Sequence, residues 1–181
     1  MRKHWFPKPY ADFVMRMRVP SGFLLGISFG LLASPTPMSL LYGPLLSFPG
    51  LALRGWAAGH LKKNQDLADG GPYAWTRNPL YLGTLLVALG LALAAQSWIV
   101  LSVTVAVFGL VYLPVIEQEE QHLLKIFPRY REYAGRVPLL WPMPPKSEGT
   151  GDFDINLYLK NQEWKATAAY MIGMGYLLWK V

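Results

Sequence analysis

The sequence predicts an all-α, polytopic membrane protein with about five transmembrane helices. Of its 181 residues, 52% are hydrophobic and only 15% are charged, whereas average soluble domains carry about a quarter charged residues. The charges are also unevenly placed, because long uncharged stretches alternate with short basic clusters, as in membrane proteins. The length leaves no room for a second large domain, so we expect residues 1–181 to form a single integral-membrane domain.

Five apolar stretches are candidates for the membrane helices. They are residues 20–33, 38–59, 79–95, 98–116 and 164–180. The first is short for a span of about 20 residues, and snorkelling of Arg16 and Arg18 would lengthen it. Only Gln96 and Ser97 separate the third from the fourth, which predicts a tight helical hairpin. The last stretch follows a proline-rich loop, and loop and helix together occupy residues 143–181.

The basic residues predict the orientation of the chain. They cluster before the first stretch, between the second and third, and after the fourth, whereas residues 34–37 and 96–97 carry no charge. By the positive-inside rule the N-terminus is cytoplasmic. We assign the net charge of +6 to topology and contacts with membrane lipids rather than to nucleic acid. The larger polar segments then share the cytoplasmic side, where a pocket would receive a soluble cofactor from water and a lipophilic substrate from the bilayer.

Gly22, Gly26 and Gly30 stand four residues apart on the first stretch. This spacing indicates either a dimer face or close packing against another helix of the same chain. We favour packing within the chain, since small residues at this spacing are general in helix bundles.

The segment GGPYAWTRNPLYLG, residues 70–83, places unusual polar chemistry at the start of a helix. Pro79 suits the first turn of a helix, and Asn78 stands where a side chain would cap it. A helix N-terminus attracts anions, so with Arg77 the segment could hold a carboxylate, while Tyr73 and Tyr81 offer aromatic faces to a cation. The alternative is an interfacial anchor, because Arg, Trp and Tyr are common at headgroup depth.

A second candidate cluster is formed by Glu117, Glu119 and Glu120 at the end of the fourth stretch. Glu119 shares a helical face with Leu123 and Ile126, and a carboxylate on the apolar side of an interfacial helix is costly unless paired. Glu120 could also point inward. The alternative is a solvated helix start, which explains Glu117 well and Glu119 poorly.

Several other kinds of site are not indicated. The chain has no cysteine and only three histidines, which form no metal-binding pattern, so we expect no metal. There is no phosphate loop, dinucleotide-binding glycine motif or nucleophile elbow.

The two segments together resemble a known family. GPYAWTRNPLYLG resembles the Arg-His-Pro-x-Tyr-x-Gly signature of the isoprenylcysteine carboxyl methyltransferases, to which the phospholipid N-methyltransferases are related. EEQHLLKIFPRYREYAGRVPLLWP resembles the closing block of the same family. The resemblance covers about residues 50–142, which we expect to form the methyltransferase-like core.

The resemblance implies a cytoplasmic pocket for S-adenosylmethionine. Its implied cofactor-binding residues are Tyr73, Ala74, Arg77, Asn78, Pro79, Tyr81, Glu119 and Glu120, of which Arg77, Asn78 and Glu120 are the implied catalytic residues. Two positions depart from the family pattern. Asn78 replaces the usual histidine and cannot titrate, and Pro128 stands where glycine is usual.

We therefore expect methyl transfer from S-adenosylmethionine to a lipophilic acceptor, either an isoprenylcysteine-type carboxylate or a lipid amine. Trp56 and Trp75 could line the route by which this substrate arrives from the membrane. Two alternatives remain open, a nicotinamide-dependent membrane reductase of the sterol-reductase type and a non-enzymatic membrane scaffold.

Overall fold

The computed structural model describes residues 5–145 and 151–181 of the chain. The basic residues Arg2 and Lys3 and the middle of the proline-rich loop, residues 146–150, lie outside these ranges. Within the described ranges the chain forms helices and no β-strand, which confirms the all-α prediction.

The described residues form eight α-helices, a 3₁₀ turn and a π-helical turn. They are α1 (Lys8–Leu32), α2 (Ser39–Ala58), the 3₁₀ turn (Gly71–Ala74), α3 (Pro79–Ala94), α4 (Trp98–Val107), the π-helical turn (Phe108–Tyr112), α5 (Leu113–Ile126), α6 (Tyr130–Arg136), α7 (Ile155–Lys160) and α8 (Trp164–Lys180). The π-helical turn joins α4 and α5 into one continuous helix of 29 residues, Trp98–Ile126.

Local sequence explains several of these boundaries. Pro79 occupies the first position of α3, where its missing N–H costs nothing. Ser97 caps α4 by accepting a hydrogen bond from the backbone N–H of Val100. As predicted, α3 and α4 flank a short turn, in which Gln96 has a φ of 49°. Helix α5 ends at Ile126, two residues before Pro128, which cannot continue it.

Helices α2 and α3 are in backbone contact through glycines. A Cβ added at Gly90 would lie 2.6 Å from the carbonyl oxygen of Gly43, and one at Gly83 would lie 2.7 Å from that of Gly50. Both distances are too short for a side chain, so glycine permits this approach.

The prediction that Gly22, Gly26 and Gly30 pack against another helix of the chain is wrong. A Cβ added at any of the three would meet nothing within 4 Å. The close approach is made by the glycines of α2 and α3 instead, because they face each other across an interface. On α1, the carbonyl of Gly30 accepts a hydrogen bond from the Tyr176 hydroxyl of α8.

The uncharged turns meet at one end of the helix bundle. Ser34 N–H donates to the carbonyl of Ala95 at 2.8 Å, and the Ser39 hydroxyl donates to that of Ala94 at 2.7 Å. Leu177, near the end of α8, packs beside Ala33 there. Residues 34–37 and 96–97 therefore lie on the same side, opposite the polar connections.

The polar end is closed by residues that precede α8. The backbone N–H of Asp154 donates to the carbonyl of Gly59 at 2.9 Å. The Asn161 side chain donates to the carbonyls of Ala58 and Leu61, both at 2.9 Å. This C-terminal segment, residues 151–163, thus covers the end of α2.

By length and composition, the helix Trp98–Ile126 is apolar enough to cross a membrane, and Pro79–Ala94 is a shorter apolar helix. Large hydrophobic side chains also cover the outside of the bundle, and all seven tryptophans are at least 41% exposed. These features are those of a membrane protein. The number of membrane spans stays a prediction.

Candidate functional site

A cavity of about 690 Å³ opens at the polar end of the bundle. Protein pockets that hold small ligands typically measure about 300–1,000 Å³. Its wall combines the predicted motifs with residues from α1, α2 and the C-terminal segment. The charged, amide and aromatic residues of the wall are Arg18, Arg54, Lys62, Lys63, Asn64, Asp66, Tyr73, Arg77, Asn78, Tyr81, Tyr112, Glu119, His122, Phe127, Tyr130, Tyr133, Asn161 and Glu163.

The segment before α3 is held by the chain that follows α6. The backbone N–H of Arg77 donates to the carbonyl of Pro138 at 2.9 Å. The Asn78 amide and the Thr76 hydroxyl both donate to the carbonyl of Leu139, at 3.1 and 3.2 Å. The two segments that carry the family resemblance are therefore in direct contact.

The prediction that the Asn78 side chain caps α3 is wrong. Asn78 occupies the N-cap position, but its side chain makes no capping hydrogen bond. Its amide instead reaches across to Leu139, because the closing block lies directly beside the start of the helix.

Tyr81 and Glu119 join α3 to α5 on the cavity wall. The Tyr81 hydroxyl donates a hydrogen bond of 2.7 Å to Glu119 Oε1. Arg18 of α1 approaches the same pair, with its guanidinium carbon 5.7 Å from the centre of the Tyr81 ring. The side chain of Glu119 is 45% exposed, so its carboxylate is open to the cavity.

Glu120 has a different environment from its neighbour. Its Oε1 lies 3.1 Å from Arg77 Nε, and the two side chains are only 5% and 3% exposed. The contact is an ion pair by distance, although the Nε–H direction does not meet hydrogen-bond geometry. The Tyr130 hydroxyl donates to Glu120 at 3.0 Å, and Arg77 Nη1 donates to the carbonyl of Ala134 at 3.3 Å. This buried cluster fastens α6 to the start of α3.

Two buried tyrosines of this wall, Tyr73 and Tyr133, have a raised pKa. Tyr133 donates to the backbone carbonyl of Tyr73 at 2.8 Å. Burial, followed by the negative charges of Glu119 and Glu163, raises the pKa of Tyr73 well above its ordinary value. Burial is also the main cause that raises the pKa of Tyr133. Both phenols therefore stay protonated at neutral pH, and Tyr133 acts as a hydrogen-bond donor.

The structure thus brings six predicted site residues to one cavity, namely Tyr73, Arg77, Asn78, Pro79, Tyr81 and Glu119. It does not bring the other four there. Ala74 and Glu120 are buried behind the wall, and Trp56 and Trp75 are outward-facing side chains, 43% and 41% exposed. Glu120 points away from the cavity because it follows Glu119 on the helix and so faces α6 and Arg77.

Sequence reasoning missed several residues of the wall. Arg54 makes a two-pronged pair with Glu163, with Nε–Oε1 and Nη2–Oε2 distances of 2.5 and 3.0 Å. Its Nη1 donates to Thr84 and to the carbonyl of Leu80. An arginine inside an apolar stretch is a signal that could have found this site. Nothing in the sequence signals Tyr112, which belongs to the π-helical turn and lies edge-on to Tyr81 at 5.9 Å.

No group of three or more His, Asp or Glu side chains that could hold a metal ion comes together within residues 5–145 and 151–181.

Comparison with known proteins identifies relatives. Residues 41–130 match the family described as phospholipid methyltransferase. The chain is 37% identical over 124 residues to the cobalt-zinc-cadmium resistance protein CzcN of Cupriavidus metallidurans, covering 67% of this chain and 57% of that protein. It is 29% identical over 125 residues to the nickel-cobalt-cadmium resistance protein NccN of Alcaligenes xylosoxydans xylosoxydans, with the same coverage.

A more distant relative carries an enzyme name. The chain is 28% identical over 148 residues to the protein-S-isoprenylcysteine O-methyltransferase of Schizosaccharomyces pombe, covering 76% of this chain and 61% of that protein. The chain thus spans about three fifths of the length of these relatives. No solved structure is significantly similar to it. Through the matched region, which contains both halves of the Tyr81–Glu119 contact, the chain belongs to the family of phospholipid and isoprenylcysteine methyltransferase-like proteins.

Proposed function

We propose that this protein transfers a methyl group from S-adenosylmethionine to a lipophilic acceptor at a membrane. The observation that carries the proposal is the meeting of two distant segments at one cavity, through the hydrogen bond between Tyr81 and Glu119. Membership of a methyltransferase family supports it independently.

The residues of the cavity fit the chemical groups of this cofactor. S-adenosylmethionine carries an ammonium, a carboxylate and a positively charged sulfur that bears the reactive methyl group. Glu119 presents a half-exposed carboxylate that suits the ammonium. The start of α3 and the second N–H of the Asn78 amide suit the carboxylate, while Arg77 lines the same wall but stays paired with Glu120. The tyrosine rings suit the positive sulfur. The volume of about 690 Å³ leaves room for an acceptor as well.

Catalysis by these residues would consist of positioning. The nucleophile forms a bond to the methyl carbon while the carbon–sulfur bond breaks and its electrons stay on sulfur, so no covalent enzyme intermediate is needed. The protein aligns the two reactants and excludes water. Buried Tyr73 and Tyr133, both neutral, keep this wall free of phenolate. Glu120 acts through Arg77, because its carboxylate is closed off beneath the wall.

The membrane arrangement belongs to the same proposal. The five long helical segments run between the end that carries the uncharged turns 34–37 and 96–97 and the polar end that holds the cavity. Five spans with a cytoplasmic N-terminus and a cytoplasmic cavity agree with the positive-inside rule. The acceptor would be a lipid-like carboxylate or amine that arrives from the bilayer. The exposed side chains of Trp56 and Trp75 would contact it before it reaches the cavity.

A binding experiment on purified protein in detergent tests the proposal. Calorimetric titration should detect S-adenosylmethionine, and Glu119→Ala should weaken its binding at least tenfold. A parallel titration with NADPH tests the reductase alternative. Binding of NADPH without S-adenosylmethionine would favour the reductase, and binding of neither would favour a scaffold.

A further inference from the structure

Three arginines of the described residues line the cavity, and two of them are each paired with a buried carboxylate of the protein. Arg54 is paired with Glu163 and also donates to α3. Arg77 is paired with Glu120 and donates to the carbonyl of Ala134. Neither guanidinium can leave its partner without leaving a buried carboxylate unpaired.

Arg18 differs from both. Its Nη1 lies 3.8 Å from Glu119 Oε1, which is beyond hydrogen-bond distance, and its side chain is 46% exposed. Among the described residues, no hydrogen bond involves its guanidinium. Five N–H donors are therefore available in a planar group that matches the geometry of carboxylate and phosphate.

The position of Arg18 places these donors between the cavity and the apolar surface. The guanidinium lies over the ring of Tyr81, inside the wall of the cavity. The following turns of α1 expose Val19, Phe23 and Leu24, with 66%, 69% and 56% of each residue accessible. A molecule with a long apolar chain along α1 would bring its polar end to Arg18.

We propose that Arg18 binds an oxyanion, a carboxylate or a phosphodiester, on the lipophilic acceptor, and so determines which acceptors the protein takes. This inference rests on the proposed function in that it treats the bound lipid as the methyl acceptor. The oxyanion site itself does not require that function. The loose contact with Glu119 is the interaction that the oxyanion would replace. Helix α1 lies outside residues 41–130, the part of the chain that matches the family.

The test uses binding of simple lipids to the full chain in neutral detergent. The probes are oleate, oleamide with the same chain but no charge, and a lysophosphatidylethanolamine with an oleoyl chain. Wild-type protein should bind at least one of the two oxyanion lipids about tenfold more tightly than oleamide. Arg18→Gln should abolish that preference, and Arg18→Lys should retain part of it, since lysine keeps the charge but loses the two-pronged geometry.

Arg16→Gln is the matched control. Arg16 is exposed on the same helix two residues away and does not line the cavity, so this variant should keep the wild-type preference. A preference for oleate alone identifies a carboxylate site, and one for the lysophospholipid alone identifies a phosphodiester site. Equal binding of all three lipids by the wild type, or equal losses in Arg18→Gln and Arg16→Gln, would overturn the proposal.

Titration of S-adenosylmethionine into the same samples separates the two proposals. Loss of the oxyanion preference in Arg18→Gln with unchanged binding of S-adenosylmethionine supports both. Absence of S-adenosylmethionine binding in every sample contradicts the proposed function but not the oxyanion site.

Discussion

Tyr81 donates its hydroxyl hydrogen to Glu119 Oε1 at 2.7 Å, across 38 residues of sequence. The bond joins the first turn of α3 to α5, and both residues face the cavity. It therefore holds the Glu119 carboxylate on the cavity wall, where we propose that it binds the ammonium group of S-adenosylmethionine.

Tyr81→Phe removes this hydrogen bond and keeps the ring. We expect binding of S-adenosylmethionine to weaken about three- to tenfold, because a hydrogen bond contributes about 0.5–1.5 kcal/mol. Calorimetric titration measures the change. Tyr42→Phe is the control, since Tyr42 lies on the exposed surface of α2 and should have no effect. Equal affinity in Tyr81→Phe and the wild type would contradict the role given to this contact.

Substitution of the adjacent acids Glu119 and Glu120 should affect different properties of the protein, cofactor affinity for Glu119 and stability for Glu120. Glu120→Ala leaves Arg77 buried without its carboxylate, which costs about 3–5 kcal/mol of stability for a buried pair. Glu119→Ala removes a half-exposed side chain and should mainly reduce cofactor affinity. Thermal unfolding in detergent and calorimetric titration separate these effects. A lower unfolding midpoint for Glu119→Ala than for Glu120→Ala would show that the two roles are reversed.

The glycine contact between α2 and α3 can be tested by comparing a variant at the contact with a variant of an exposed glycine on α1. Gly90→Ala places a methyl group 2.6 Å from the carbonyl oxygen of Gly43, so the helices must separate, at a cost of about 1–3 kcal/mol. Gly26→Ala enters open space and should leave stability unchanged or raise it, because alanine favours the helix. Unfolding midpoints of the two variants test this. If they match each other, the helices do not pack as described.

The pair formed by Arg54 and Glu163 should hold the C-terminal segment on the cavity. Glu163→Gln removes the charge from a mostly buried partner, so we expect faster tryptic cleavage after Lys160. The double exchange Arg54→Glu with Glu163→Arg should restore part of the protection. Glu132→Gln serves as the control, because Glu132 and Arg136 form an exposed pair, 72% and 40% accessible, of the kind that contributes little. Cleavage at the wild-type rate in Glu163→Gln would rule out this clamp.

Alkaline pH should destabilise the protein through its buried tyrosines. The pKa of Tyr73 is higher in the folded protein than the ordinary value near 10. The stabilising contribution is therefore complete below pH about 10 and declines above it, because the unfolded chain then releases a proton that the folded chain retains. Tyr73→Phe should lose less stability than the wild type between about pH 9 and 11. Unfolding midpoints recorded across that range provide the measurement, and parallel slopes would refute the prediction.

Much of the fold could be predicted because its causes are local. Pro79 and Pro128 set helix ends by removing a donor or blocking a turn, and the two residues Gln96 and Ser97 leave room only for a short turn between α3 and α4. The two motifs were also visible, because turn residues, an arginine and paired acids stand out against apolar neighbours. The prediction for Gly22, Gly26 and Gly30 failed because helix packing is not a local property. Their spacing shows that one face of the helix lacks side chains, but not whether another helix lies against that face.

What the sequence by itself determined is the apolar stretches of the five long helical segments and the two segments rich in site chemistry. Only the tertiary structure decided which acid faces the cavity. Consecutive residues on an α-helix point about 100° apart, so one step along α5 separates open Glu119 from buried Glu120, and the positions of α3 and α6 fix the assignment. The tertiary structure also places Arg18, Arg54 and Glu163 on the cavity wall, because distant parts of the chain become neighbours only when the helices pack.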